Sequence, residues 1–297
     1  MRLRAYGGAL LIEAPAKLNL FLEVLGRRED GFHDLETLML SVGLYDSLRL
    51  AAADGGEIRL RLEGCHVPLS APLQVDDTNL VVRAARLLQT HTGSQQGVRI
   101  ELTKRIPVEA GMGGGSSDAA ATLVGLNRLW QLGLSSGELH ALAAQLGSDV
   151  NFFLDSAPAA LCHGRGEQIA MVPMAGPLPF VILKPKSGCP TGAIFRTLQL
   201  GGAMHGPDRL LSALAVGNWK GFRSECYNAL QAPAEELNSD VGRALSLLNG
   251  NDVVTAGMTG SGSACFGLCR SVRQARMLAN RLRQQFDGQV FSVTTSI

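Results

Sequence analysis

Apolar and polar positions alternate along this chain with a period that changes several times, and each change marks an element. Leu18, Leu20, Leu22 and Val24 recur at every second position, which predicts a strand, and Glu29, Asp30 and Gly31 supply a turn after it. Residues 35–50 continue as extended chain toward I-R-L-R-L at 58–62, whose alternation predicts a half-buried strand. The period then lengthens. N-L-V-V-R-A-A-R-L-L-Q at 79–89 sets apolar residues at i, i+3, i+4 and i+7, the spacing of one helix face. A strand V-R-I-E-L at 98–102 leads into a glycine cluster at 111–115 that runs directly into an alanine-rich helix. Ser135 and Glu138 stand in S-x-x-E spacing, a capping box that opens a helix ending at Gly147.

Beyond Phe153 the elements shorten. Strands are predicted at about 159–163, 167–172 and 179–184, and helices at about 191–199, 206–215 and 233–248. A strand, a second glycine-rich turn, another strand, a helix from Val272 and a last strand near 290–294 complete the chain. Strands and helices mixed without strict alternation predict an α+β fold rather than a parallel sheet. With 297 residues, 46% of them hydrophobic, two cores are expected. The division falls at Ser156-Ala157-Pro158, giving an N-terminal domain over 1–158 and a C-terminal domain over 159–297.

Charge and composition narrow the function classes. A net charge of +1 provides no global field to draw nucleic acid or a membrane surface. No apolar run approaches the ~20 residues of a membrane-spanning helix. Arg2, Arg4, the apolar run at 5–12 and A-P-A at 14–16 imitate a secretory leader, but Glu13 breaks the apolar region beside the apparent cleavage site, so a cytoplasmic protein is expected. Six cysteines without a C-x-x-C pair read as reduced, mostly buried thiols; Cys65-His66 and Cys162-His163 are the adjacent pairs of metal-ligating types.

The candidate chemistry concentrates at 106–123, I-P-V-E-A-G-M-G-G-G-S-S-D-A-A-A-T-L. Gly111, Gly113, Gly114 and Gly115 lack Cβ, so several backbone N–H groups can converge on one oxyanion. Ser116, Ser117 and Asp118 are expected to cap the helix that follows, whose positive end then faces the loop. A flexible spacer would need neither the stiff Ile106-Pro107 entry nor the immediate cap. The chain has no Gly-Lys dipeptide, which excludes G-x-x-x-x-G-K-[ST], and G-M-G-G-G-S places Ser116 where a dinucleotide fingerprint needs its last glycine. Asp149 follows a predicted helix end and precedes Val150, Phe152 and Phe153, which suits a general base at the edge of a dry pocket; the competing reading is a helix-capping aspartate. Lys17 lies inside A-K-L-N-L-F-L, where burial is costly without an anion, unless it is an edge-strand charge that discourages aggregation.

Three stretches together resemble the GHMP kinases, a superfamily of small-molecule kinases. They are A-P-A-K-L-N-L at 14–20, the glycine-rich stretch at 107–119, and G-M-T-G-S-G-S-A-C-F at 257–266, in family order and spanning nearly the whole chain. D-G-F-H at 30–33, L-G-S-D-V-N-F-F at 146–153 and G-R-G-E at 164–167 sharpen the likeness. The resemblance implies a two-domain α+β GHMP kinase-like fold with mixed sheets and helices and the active site in the cleft between domains. It implies that 1–158 binds ATP and that 159–297 forms the substrate side. The implied donor is ATP with Mg²⁺, and the implied acceptor is 4-diphosphocytidyl-2-C-methyl-D-erythritol, phosphorylated on its 2-hydroxyl in isoprenoid precursor synthesis.

By the same resemblance Asp149 and Lys17 are the catalytic pair. Asn79, Lys104, Pro107, Gly111, Gly113, Gly114, Gly115, Ser116 and Ser117 fall on ATP, and Asn19, Phe32, His33, Thr191 and Phe195 on the acceptor. Phe32 and Phe195 would stack on the pyrimidine while His33 reads its edge; Phe32 stands where the family commonly has tyrosine. No acidic pair is an obvious magnesium ligand, so the metal ligands stay unassigned, with the Ser117 hydroxyl a candidate. A monomer or weak homodimer is expected, without nucleic-acid or membrane partners. Two alternatives stand beside this reading. A GHMP kinase acting on mevalonate, homoserine or a sugar would have little use for Phe32, His33 and Phe195, and a catalytically silent nucleotide sensor would have no need of both Lys17 and Asp149.

Overall fold

The computed structural model describes residues 1–67, 73–201 and 204–296. Strands β1 (Arg2–Tyr6), β2 (Ala9–Arg27), β3 (His33–Ala53) and β4 (Ile58–Cys65) come first, followed by α1 (Leu80–Thr92), β5 (Gly97–Lys104), α2 (Gly114–Leu129), α3 (Ser136–Leu146) and α4 (Val150–Leu154). Then come β6 (Ala159–Gly164), β7 (Gln168–Met171), β8 (Pro179–Pro185), α5 (Thr191–Thr197), α6 (Asp208–Val216) and α7 (Trp219–Glu225). The chain ends with β9 (Tyr227–Asn228), α8 (Gln231–Leu237), α9 (Ser239–Asn249), β10 (Thr255–Met258), β11 (Cys265–Leu268), α10 (Val272–Leu282) and β12 (Gly288–Thr294). Among the described residues the strands form two sheets, of eight and four strands. None of the helices there is long and apolar enough to cross a membrane.

Contacts gather the chain into two compact units. The first is Met1–Ala16, Leu44–Val108 and Gly113–Ser156; the second is Lys17–Gly43, Glu109–Met112 and Ala157–Ile297. One change of unit, from Ser156 to Ala157, lies beside the expected division at Pro158. The others fall inside β2, inside β3 and on either side of 109–112, because strands of 19 and 21 residues are long enough to serve two cores.

In the first unit, β1 pairs antiparallel with the start of β2, so the leader-like stretch forms a hairpin in register Arg2↔Glu13. The late part of β3 pairs antiparallel with β5 (Ser47↔Thr103), and β4 pairs parallel with β5 (Ile58↔Val98). Burial along β4 alternates residue by residue, as its period predicts. Helix α1 buries Val81, Val82, Ala85 and Leu88, and its start is set by Asn79, whose side chain accepts the Val81 N–H at 2.9 Å. Helix α3 opens on the predicted Ser135 capping box. Helix α2 lies close on the sheet at Gly125, where a Cβ would come within 2.4 Å of both Ile12 Cδ1 and Leu50 Cδ1.

The second unit begins in the middle of β2, where the simple alternation fails. Every residue from Lys17 to Val24 is buried, so both faces of that strand are covered. The early part of β3 pairs antiparallel with β6 (Leu35↔Gly164), β6 pairs with β7, and β9 runs parallel beside β2 (Phe21↔Tyr227). A separate antiparallel sheet has the order β10-β11-β8-β12. Its central strand β8 is buried throughout, and Val181, Leu183, Leu248, Leu278 and Leu282 belong to one core with Leu22 and Val24. The helix expected at 233–248 is two helices, broken at Asn238, whose extended backbone (φ −143°, ψ 96°) and side chain cap α9. Helix α7 was absent from the sequence pattern; at seven residues it is too short to show a period.

Candidate active site

The glycine loop turns into α2 earlier than the sequence suggests. Gly113 is the N-cap, in left-handed conformation (φ 71°, ψ 18°), and Gly114 is already helical. Ser116, Ser117 and Asp118 are therefore not caps but residues of the first turns, and no side chain caps this helix. The first intrahelical bond runs from Ser117 N–H to Gly113 O at 2.9 Å, so the N–H groups of Gly114, Gly115 and Ser116 lie ahead of the helix's own ladder. A serine or aspartate cap would occupy one of those donors; a glycine cap leaves the positive end of α2 open to an anion.

Other expected donor-side residues surround this turn within the first unit. A Cβ at Gly115 would stand 3.5 Å from Leu80 Cδ1, which brings the start of α1 and its cap Asn79 beside the loop. The Asn79 amide donates to Gln74 O at 2.6 Å as well as capping α1. Pro107 is buried just before the loop. Gly147 faces Ser116, with its Cβ position 4.0 Å from Ser116 Oγ, so the turn carrying Asp149 lies against the first turn of α2. Asp149 occupies the N-cap position of α4 but its side chain makes no capping hydrogen bond there, and its neighbours Val150, Phe152 and Phe153 are 0–1% exposed.

Lys104 is placed differently from a ligand-facing lysine. Its ammonium is buried and pairs with Asp46 and, at 2.8 Å, with Asp118 Oδ2. Burial by itself would lower the lysine's proton affinity, but the two carboxylates outweigh it and hold the ammonium firmly charged. Burial pushes the Asp118 carboxyl up to about 7, with Lys104 opposing and Asp46 adding to the shift. Among the described residues, Ser117 Oγ and Asp118 Oδ1 are buried without a hydrogen-bond partner, and no group of three or more His, Cys, Asp or Glu could hold a metal ion.

In the second unit, Lys17, the 109–112 segment and the second glycine turn converge. Lys17 is 3% exposed, which excludes an edge-strand role, and its Nζ donates to Asn19 Oδ1 at 2.5 Å. The Asn19 N–H donates to Thr259 Oγ1 at 3.0 Å, and that hydroxyl lies 3.1 Å from Asn19 Oδ1 and 3.2 Å from Gly111 O. The Asn19 amide donates to Thr37 Oγ1 at 2.8 Å. Gly111 has φ 69°, and a Cβ there would stand 2.0 Å from Thr259 O, so only glycine allows this approach. The turn at 259–264 is tied back by Ser263 N–H to Glu109 O and Ala264 N–H to Ala110 O, at 3.3 and 3.2 Å.

The expected acceptor residues lie in the same unit. His33 and Phe195 stack with centroids 4.8 Å apart, and the Arg165 guanidinium lies 4.8 Å over the ring of Phe32, itself 51% exposed. Thr191, at the start of α5, bonds Ser261 Oγ at 2.7 Å. The Asn19 side chain is engaged with Lys17 and Thr37, so it orients the lysine. Sequence reasoning missed Thr259, Asp46, Arg165 and Ser261. Thr259 and Ser261 lie within G-M-T-G-S-G-S-A-C-F and Arg165 within G-R-G-E, stretches that marked the region without marking these side chains, and Asp46 left the signal of an aspartate in a long extended segment, fully buried.

Comparison with known proteins agrees with the α+β expectation. The GHMP kinases N terminal domain matches residues 79–163 and the GHMP kinases C terminal domain matches residues 210–288. A 4-diphosphocytidyl-2-C-methyl-D-erythritol kinase of Bacillus mycoides is 37% identical over 287 residues, covering 96% of each chain. Its counterpart in Delftia acidovorans is 44% identical over 259 residues, covering 86% of this chain and 85% of its own. A crystal structure of 4-(cytidine 5'-diphospho)-2C-methyl-D-erythritol kinase matches with a TM-score of 0.80 at 35% identity, over 96% of this chain and 98% of that one. Homoserine kinase from Cytophaga hutchinsonii, at 15% identity and a TM-score of 0.74 over 100% of this chain and 97% of its own, shares the fold. With its glycine-capped helix, buried Lys17 and relatives matched along nearly its whole length, the chain belongs to the GHMP kinases and, within them, to the family of 4-diphosphocytidyl-2-C-methyl-D-erythritol kinases.

Proposed function

We propose that this protein transfers the γ-phosphoryl group of ATP to the 2-hydroxyl of 4-diphosphocytidyl-2-C-methyl-D-erythritol, giving the 2-phosphate and ADP. The observation that carries the reading is the open N-terminus of α2, capped by Gly113 alone, in a chain of this family. The N–H groups of Gly114, Gly115 and Ser116 receive the phosphate oxygens, Asn79 and Pro107 frame the nucleotide side of that turn, and Lys104, buried between Asp46 and Asp118, supports it from beneath. Asp149 takes the proton of the 2-hydroxyl as it attacks, and Lys17, oriented by Asn19, stabilises the negative charge of the group in transfer. Mg²⁺ bound with ATP would neutralise the phosphate oxygens; Ser117 Oγ, buried and without a partner among the described residues, fits such a ligand. Phe32, His33, Thr191 and Phe195 take the cytidine end, with rings for stacking and an imidazole for the base edge.

A coupled ADP-release assay over cytidine-linked methylerythritol, mevalonate, homoserine and a sugar tests this directly. Turnover with the cytidine acceptor alone is expected. Equal turnover of mevalonate or homoserine would make this a kinase of different specificity, and ATP binding without transfer to any acceptor would make it a sensor.

A further inference from the structure

Within the first unit, three charged side chains are buried together under the glycine loop. Lys104, the last residue of β5, holds its ammonium between Asp46 of β3 and Asp118 of α2, with side chains 4%, 0% and 3% exposed. Asp46 also accepts the backbone N–H groups of Arg105 and Ile106 through Oδ1, at 2.5 and 2.9 Å. Two carboxyl groups share one ammonium in a dry place, which is costly, and Asp118 Oδ1 has no compensating partner among the described residues. Apolar side chains could fill such a space at equal or lower cost, so the arrangement is better explained by what it holds. It holds the start of α2. A Cβ at Gly114 would stand 3.2 Å from Lys104 Nζ and 3.0 Å from Ile106 Cγ2, so the ammonium lies close beside the first helical residue, where only glycine leaves it room, and it holds the same helix through Asp118, one turn on.

We propose that Asp46, Lys104 and Asp118 are positioning residues for the phosphoryl donor. Asp46 fixes the chain at 105 and 106 as it enters the loop, Lys104 fixes Asp118, and Asp118 sets the height and rotation of the first turn of α2. The N–H groups of Gly114, Gly115 and Ser116 are thereby aimed before a triphosphate arrives, at no reorganisation cost during binding. This rests on the reading of the loop as the ATP site.

The test is steady-state kinetics on the full chain with Asp118→Asn, and with a charge-free triple variant, Asp46→Asn, Lys104→Met and Asp118→Asn. The single variant leaves Asp46 and Lys104 as a neutral pair, and the triple variant leaves no buried charge, so neither faces the penalty of an unpaired ion. In both, KM for ATP is expected to rise roughly tenfold or more while KM for the acceptor stays unchanged. Gly113→Val is the control for the loop. If Gly113→Val weakens ATP but the folded charge variants keep wild-type KM for ATP, the triad proposal is overturned and the loop reading stands. If Gly113→Val also leaves ATP unaffected, the loop reading itself fails. Failure of both charge variants to fold would show the triad to be structural and would equally overturn the proposal.

Discussion

Thr259→Val is the sharpest test of how Lys17 is held. Valine has the shape of threonine without the hydroxyl, so the substitution removes hydrogen bonds with little change in packing. In the native chain Thr259 Oγ1 accepts the Asn19 N–H at 3.0 Å and lies within 3.2 Å of Gly111 O, at a residue that is 0% exposed. After the change the Asn19 N–H is buried without that acceptor, which costs about 1–3 kcal/mol. Asn19 Oδ1 retains Lys17 Nζ at 2.5 Å and is not orphaned, so the loss falls on the Asn19 N–H and on Gly111 O, from which the hydroxyl donor is removed. For a chain of this size that lowers Tm by roughly 2–10 °C. Asn19 is the contact through which Lys17 is oriented, and a displacement of its carbonyl moves the ammonium; a misplacement on the order of 1 Å costs up to about 10²-fold in rate. The expected result is therefore a lower Tm with kcat reduced between about tenfold and a hundredfold, and recovery of both in Thr259→Ser. The assays are a thermal melt and coupled ADP release at saturating ATP and acceptor. An unchanged Tm would refute the hydrogen bond, and a lowered Tm with full kcat at a temperature where the variant is folded would show that the network does not position Lys17.

Asp149→Asn is expected to keep the fold and ATP affinity while kcat falls roughly 10²- to 10⁴-fold, the range for a lost general base; near-normal turnover would remove Asp149 from that role. His33→Ala is expected to raise KM for the cytidine acceptor about tenfold with KM for ATP unchanged, and the wild type should use a uridine analogue poorly; equal use of both bases would refute edge recognition. Asp118 makes a pH prediction. Its carboxyl holds a proton up to about 7 when folded and to roughly 4 when unfolded, so the folded state binds the extra proton between those values and stability falls as pH rises across them, by at most about 1.4 kcal/mol per unit. Lys104 and Asp46 face it in wild type and in Asp118→Asn alike, so only the wild type should show the slope in urea midpoints; equal slopes would mean that Asp118 is ionised throughout.

Local chemistry alone determined a good part of this protein. The two-residue period of I-R-L-R-L, the helical spacing from Asn79, the S-x-x-E box at Ser135 and the glycine cluster before α2 each depend on neighbours a few residues away, and the structure places an element at each. The family, too, was legible from three short stretches. What only the tertiary structure decided lies in contacts between distant residues. Thr259 meets Asn19 across 240 positions and Asp46 meets Lys104 across 58, and no local period records such pairings. The start of α2 was misplaced because serine and aspartate are strong caps in general, whereas here the cap is a left-handed glycine and Asp118 is drawn inward by a buried lysine. The alternation of Leu18, Leu20, Leu22 and Val24 predicted a strand but not that both of its faces are covered, because covering depends on what the rest of the chain packs against it. Sequence periods report how a segment can fold; which of its polar groups end up buried, and against which partners, is set by the long-range packing that completes the core.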